Sequence, residues 1–480
     1  MRKHEIQSQK LNEDFHKFSA KTLKFAGEYL SSIESYSVLP DTQPGELKAR
    51  LPEELPEKGE DFNRLIDDTA EFIAPAMTHW NHPGFMAYFN SSASLPGIMG
   101  EILAAVFNNN AMVWKSGPGS TELEEVTLEW FRKLVRVSPQ FRGFIYDTAS
   151  VSVMHAFSAA RENLNLGIRE KGLFGRVLPK LKIYASEQAH SSIDKAALLL
   201  GTGLDGIQKI PVDENFAMIP EELEKKLSED ISNGVLPLAV VATIGTTGST
   251  AIDPLPKIAE ITNKYKVWLH VDAAHAGVVS MLPERKDLFT GHEAADSMVI
   301  NPHKWMFVPL DLSVLFIKNP DVLKRAFSLV PEYLKTSADD TATNYMDYGI
   351  QLGRRFRSLK FWYVMRYFGR EGLCDIIRGH LDIAHYFLEK LKTISGIEIL
   401  APLNFSTICF MHNPGISDQE ELNRYNARLM DEINRDGRIF ISHTKLNGKF
   451  TIRVVFSGIN QTKNTADTAL EIIAKTIKSL

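Results

Sequence analysis

The chain has 480 residues, 44% of them hydrophobic and 24% charged, an ordinary balance for a soluble globular protein of two or three domains. Its 54 basic and 59 acidic side chains leave a formal charge of −5, and no basic block reverses that balance, so nucleic-acid binding has no support. No window reaches the roughly eighteen continuous apolar residues of a membrane span, and the polar opening MRKHEIQSQKLNEDFHKF is unlike a secretory signal, so a cytoplasmic protein is expected.

Leu11, Phe15, Phe18, Leu23, Phe25 and Leu30 recur at roughly helical spacing, which predicts one or more amphipathic helices over 11–36. Residues 39–60, LPDTQPGELKARLPEELPEKGE, cannot continue as one helix, because each proline removes an amide donor and restricts its predecessor. A helical arm and connector over 1–80 has little core of its own, which predicts packing on a partner subunit. From about 140 to 320, FRGFIYD, LKIYASE, LAVVATIG, VWLHVDAA, DSMVINP and LSVLFIK are short apolar runs without strict alternation, the texture of strands buried on both faces. Helix-like stretches separate them, so a large α/β domain over 81–375 is expected, built on a parallel-rich sheet flanked by helices. A helical stretch follows at 356–369. The remainder, 376–480, reads as a smaller α+β domain: a helix near 380–393, strands at IEIL, STICFM and FTIRVVF, and a closing helix over 464–479. The two cysteines, Cys374 and Cys409, sit in apolar text away from any Cys/His cluster and read as buried thiols, with no metal site expected.

Open sheets of this kind bind ligands beyond the carboxyl ends of their strands, and the polar motifs cluster there. In NPHKW (301–305), Lys304 follows the apolar run SMVI. A lysine so placed can condense with an aldehyde, the usual anchoring of pyridoxal 5'-phosphate (PLP), although lysines taken alone are mostly solvated surface residues. Asp272, which ends VWLHV, lies 32 residues upstream of Lys304, so two neighbouring strand ends can present an acid and an amine to one ligand. PLP needs that pair, because a carboxylate against its pyridine nitrogen keeps the ring cationic. A strand-terminal Asp by itself is more often a helix cap. DTAS (147–150) stands between a strand and a helix-like run, and Thr148, Ala149 and Ser150 are candidates to cradle a phosphate at the helix start; ordinary capping competes. His190, in SEQAHSS, stands where it can stack on the pyridine ring, and Thr247, in ATIGTTGS, where it can hydrogen-bond Asp272 or the cofactor; a structural histidine and a plain turn are the alternatives.

Taken together, HWNHPGFMAYF (79–89), STELE (120–124), SEQAHSS, HVDAAHAG, NPHKW and LGRRFRSLKFW (352–362) resemble the group II PLP-dependent amino-acid decarboxylases, with the aromatic-L-amino-acid decarboxylases most similar. The match runs in order from about residue 30 to the end. The resemblance implies the type I, aspartate-aminotransferase-like fold and a homodimer with shared active sites. It implies Lys304 as the Schiff-base lysine, Asp272 as the pyridinium partner, His190 on the ring and Thr247 in support. Thr148, Ser150, Asn301 and His303 would hold the phosphate. SLVPEYLKTSADD (328–340) resembles the family's mobile catalytic loop, with Tyr333 at its catalytic position. Relatives that form aldehydes tend to have Phe there, or Asn in place of the histidine, so retention of Tyr333 and His190 favours plain decarboxylation over aldehyde synthesis.

For the substrate, Trp80, Tyr88 and Phe89 lie where relatives line an aromatic pocket, though core packing also accounts for three aromatics. Gly353 resembles the aromatic decarboxylases and leaves room for a large ring, so tyrosine, DOPA, tryptophan and 5-hydroxytryptophan are candidates. Aspartate or glutamate decarboxylation is the alternative; Arg354 and Arg355 belong to the shared motif and do not discriminate. The chain departs from animal relatives at Asn90 (usually Pro), at His275 (commonly Tyr) and in the polar stretch 108–112.

Overall fold

The apolar runs form the strands β1 (Arg142–Tyr146), β2 (Leu181–Ser186), β4 (Leu236–Thr243), β5 (Trp268–Asp272), β6 (Ser297–Ile300) and β7 (Ser313–Ile317) in a computed structural model. It describes residues 2–329 and 342–480, with side chains from Glu13 onward. A further strand, β3 (Ile207–Ile210), completes one seven-stranded sheet in the order β1-β7-β6-β5-β4-β2-β3. The five strands from β6 to β3 are parallel, and β7 runs antiparallel to both β6 and β1.

Both faces of this sheet are covered, which is why the strands read as continuous apolar text. Along β4, Val240 and Ala242 enter one core cluster, with Phe131 of the helix Pro118–Leu134. Ala239 and Val241 enter the other, with Val153 and Phe157 of the helix Ala149–Asn163 and Ile193 of the helix Ser192–Leu200. Register aligns Thr243 with Asp272 and Asp272 with Val299. The carboxyl ends of β4, β5 and β6 therefore open onto one edge, where the polar motifs begin.

The C-terminal sheet is antiparallel, in the order β10-β11-β9-β8, from β8 (Ile397–Ile399), β9 (Thr407–His412), β10 (Ser442–Leu446) and β11 (Lys449–Val455). The helix Ser358–Leu391 joins the two halves: Phe361 and Val364 pack in the large-sheet core, Phe387 and Leu391 in the small-sheet core. It is interrupted at Gly369, whose φ of 62° strains any residue with a Cβ. The expected stretches 356–369 and 380–393 are thus two parts of one element. Cys374 and Cys409 are buried free thiols.

The arm is a helix over Arg2–Ser31. Phe18 stacks on Phe62 at 4.1 Å, and Tyr29 Oη meets His79 Nδ1 at 2.7 Å, so the arm helix packs on its own connector. The proline-rich connector is helical only over Glu46–Arg50. Among the described residues no helix is long and apolar enough to cross a membrane.

Candidate active site

Asp272 ends β5 almost fully buried, and its Oδ1 accepts the amide of Ala274 at 3.1 Å. After β6, the Asn301 amide donates to Ala274 O at 3.0 Å, and the Lys304 amide to Asn301 O at 3.0 Å. That turn begins the short helix Pro302–Trp305. The Asp272 and Lys304 segments are thereby tied to each other at the ends of adjacent strands. Both residues line one small cavity with Phe89, Ala149, His190, Thr243, Gly245, Thr247, Ala274 and His275. Gly245 is required there: its φ is +87°, and a Cβ would stand 2.7 Å from that of Ala276.

At the start of the helix Ala149–Asn163, Thr148 occupies the N-cap position but makes no side-chain cap. Its amide instead meets Asp147 Oδ1 at 2.6 Å, so ordinary capping does not account for DTAS. Ala149 lines the cavity, and the dipole's positive end lies beside it. His303 Nδ1 accepts the Leu312 amide at 2.9 Å, and its Nε2 stands 3.4 Å from Asn301 Nδ2.

Electrostatics follow from burial. Loss of solvent pushes the Lys304 amine below its ordinary pKa, with Asp272 pulling the other way. His190 is likewise lowered by desolvation, against Asp272. Its Nδ1 accepts the Ser192 amide at 3.1 Å, which leaves the proton of the neutral ring on Nε2. Burial pushes His303 down to about 3, so it is a neutral imidazole.

Not every candidate converges. Phe89 is buried against the cavity, while Trp80 and Tyr88 are exposed, in a cluster with Phe85 and Phe440. Gly353 also lies away from the cavity; a Cβ on it would meet only Asn110 Nδ2, at 3.8 Å. Tyr333 lies outside the described residues. Conversely, Arg453 was not anticipated. Its guanidinium is buried 5.6 Å from the centre of the Phe89 ring, and Nη2 has no hydrogen-bond partner among the described residues. The signal was a lone charge inside the apolar strand FTIRVVF.

The residues fit PLP. An amine and a carboxylate share a small-walled cavity next to an uncapped helix start, and the buried oxygens Thr243 Oγ1 and Asn301 Oδ1 have no partner among the described residues. A parallel-rich sheet with this site at its strand ends defines a PLP-dependent enzyme of fold type I. More narrowly, residues 44–413 match the pyridoxal-dependent decarboxylase conserved domain; the chain belongs to that family and is a PLP-dependent carboxy-lyase. It is 38% identical over 451 residues to a tryptophan decarboxylase of Oryza sativa subsp. japonica, covering 92% of this chain and 90% of the relative. It is 36% identical over 452 residues to a phenylacetaldehyde synthase of Arabidopsis thaliana, covering 92% and 91%. The crystal structure of an Oryza sativa TDC with PLP and tryptamine superposes with a TM-score of 0.93 at 31% identity, covering 97% of this chain and 98% of that one.

Proposed function

We propose that this chain decarboxylates an aromatic L-amino acid of the tyrosine, DOPA, tryptophan or 5-hydroxytryptophan class to its amine and CO2, as a homodimer with shared sites. The convergence of Lys304, Asp272 and His190 on one cavity carries the reading. When bound, PLP supplies an electron sink for the charge left on the substrate Cα as CO2 departs.

The chain's own residues do the rest. Lys304, its ammonium form disfavoured by burial, offers the amine that anchors the cofactor. The Asp272 carboxylate would hold the proton on the ring nitrogen, and Thr247 and Ala274 line the same cavity. Amides at Ala149 and Ser150, with Thr148, Asn301 and His303, would hold the phosphate. His190, its Nδ1 occupied by the Ser192 amide, would present Nε2–H to the ring and substrate. Phe89 and His275 give that end an aromatic wall that excludes water and suits a flat substrate. Tyr333 gives its proton to Cα, which yields amine rather than aldehyde.

An apolar stripe supports the dimer. Leu95, Met99, Ile102 and Val106 recur along one side of the helix Leu95–Phe107 and are 40–62% exposed, with Tyr88, Leu310 and Ile350 also exposed. A row of exposed apolar side chains along one helix is normally covered, and in a shared-site dimer a second copy would supply Gly353 to the first copy's substrate. Sedimentation showing an active monomer would remove the dimer.

The test is a product screen of the PLP-loaded enzyme against the standard amino acids, DOPA and 5-hydroxytryptophan. Amine and CO2 from aromatic substrates alone are expected, with Tyr333→Phe diverting product toward aldehyde. Turnover of aspartate or glutamate alone would overturn the aromatic reading. Aldehyde and peroxide from the unaltered enzyme would make it an aromatic aldehyde synthase.

A further inference from the structure

His275 is 1% exposed, and neither of its ring nitrogens has a hydrogen-bond partner among the described residues. A buried imidazole so placed forgoes roughly 1–3 kcal/mol per unmet group, which is uncommon unless something else meets it. The ring is held tightly. Phe89 stacks on it at 3.7 Å and 6°, and Trp305 at 4.7 Å and 6°. Trp305 is fixed in turn, its Nε1–H donating to His380 Nδ1 at 2.9 Å, while His380 Nε2 meets Gly458 O at 3.0 Å. Among the described residues, the ring nitrogens of His275 are the polar atoms of this column left unpaired, and His275 lines the cavity with Lys304.

The surroundings choose the ligand. The Arg453 guanidinium carbon lies 5.6 Å from the centre of the Phe89 ring, so a permanent cation stands beside the stack. Burial, with Lys304, Arg453 and His380 nearby, keeps the imidazole neutral. A neutral ring carries one N–H donor, and a cavity end with a buried guanidinium beside it attracts an anion. The obligatory anion of an amino-acid decarboxylase's substrate is its α-carboxylate.

We propose that His275 recognises the substrate carboxylate, its stacked imidazole donating a hydrogen bond to one carboxylate oxygen. A neutral donor suits this task better than an ion pair. Carbon dioxide leaves uncharged, so a strong ion pair to the carboxylate would stabilise the ground state and raise the barrier, whereas one neutral hydrogen bond orients the group at small cost. The inference rests on amino-acid decarboxylation and not on the aromatic class.

The test compares two probes that the enzyme cannot decarboxylate, binding to the PLP-loaded enzyme by calorimetry and drawn from whichever amino acid the product screen identifies. For tyrosine these are 3-(4-hydroxyphenyl)propanoate, which has the carboxylate without the amine, and tyramine, which has the amine without the carboxylate. A different amino acid in the screen changes the probe pair and leaves the comparison intact. His275→Phe keeps the stack and removes the donor. It is expected to weaken the acid roughly tenfold or more, the range for one hydrogen bond to an ion, and to leave the amine within about twofold. His275→Gln, which retains an N–H, should recover part of the loss, and His275→Leu carries the comparison if the Phe variant does not fold. Equal weakening of acid and amine, or no change in either, would reduce His275 to packing and overturn the proposal. Loss confined to acids with a ring hydroxyl, sparing 3-phenylpropanoate, would overturn it as well.

Discussion

Glu124 and Arg354, from STELE and LGRRFR, meet inside the protein. Their side chains are 1% and 7% exposed, with Arg354 Nη2 2.7 Å from Glu124 Oε1 and Nη1 3.3 Å from Oε2. The same guanidinium donates to Ala111 O at 3.0 Å and Ile145 O at 3.1 Å and lies 4.5 Å over the Tyr345 ring. Glu124→Ala removes the only anion in this set and strands a buried charge, which costs about 3–5 kcal/mol. Set against the 5–15 kcal/mol that typically separates folded from unfolded chains, that is a large fraction. Replacing both partners, as Glu124→Ala with Arg354→Met, strands nothing and should cost less than the single variant, giving a coupling of at least about 2 kcal/mol. The assay is urea unfolding followed by tryptophan fluorescence, at one protein concentration and saturating PLP so that ligand and subunit linkage stay fixed. A single variant within about 1 kcal/mol of the parent, or a double variant that loses the sum of the two singles, would refute the reasoning. The Arg354 amide also donates to Asn110 Oδ1 at 2.9 Å, so loosening the pair should disturb the Gly353 segment and raise KM before it lowers kcat.

Gly353→Ser should fold normally, because its Cβ meets only Asn110 Nδ2, at 3.8 Å; steady-state kinetics should show the tryptophan-to-tyrosine preference shifting by about tenfold, the worth of one small group in a pocket. An unchanged ranking would remove Gly353 from the substrate pocket. Stability should fall on acidification below pH 6.5. Burial pushes His82, His155, His270 and His380 down to about 4 and His303 to about 3, so the folded state binds fewer protons than the unfolded chain between those values and 6.5. Each contributes stability that is present above 6.5 and lost as pH falls, about 1.4 kcal/mol per unit at most. Asp253, raised to about 7, and Asp296, also raised by burial, act oppositely, their contributions being lost as pH rises through their folded values, but they are two groups against five. A urea midpoint that holds or rises from pH 7.5 to 5.5 would contradict this balance.

The sheet was readable because burial on both faces leaves a strand no room for polar residues; six of its seven strands stand out as apolar runs. β3 does not, since IQKI is a half-buried edge strand. β10, SHTKL, is hidden for the same reason, with three of its five residues at least partly exposed. The helix Gln419–Arg435 did leave a signal, Leu422, Leu429 and Ile433 at helical spacing, but its charged faces mask it, and only the Asp418 cap, which accepts the Glu421 amide at 2.8 Å, marks its start. Strand-end residues such as Asp272 and Lys304 were accessible because topology fixes where strand ends lie.

Side-chain pairs far apart in the chain follow a different rule. Nothing in STELE says that its last glutamate will meet an arginine 230 positions on. Nor does FTIRVVF say that Arg453 will stand beside Phe89, or HVDAAHAG that His275 will be held between Phe89 and Trp305. Such contacts depend on the relative placement of two domains and a loop, not on local pattern. The exposed aromatics extend this point beyond a single chain. Trp80 and Tyr88 occupy motif positions and yet lie outside the cavity that Phe89 lines, exposed like the apolar side chains of the helix Leu95–Phe107. If a second copy covers that surface, their place in the motif reflects subunit contact as much as substrate contact. A Trp80→Ala variant should then weaken dimerisation at dilute protein as well as substrate binding, whereas a pure pocket residue would change KM alone.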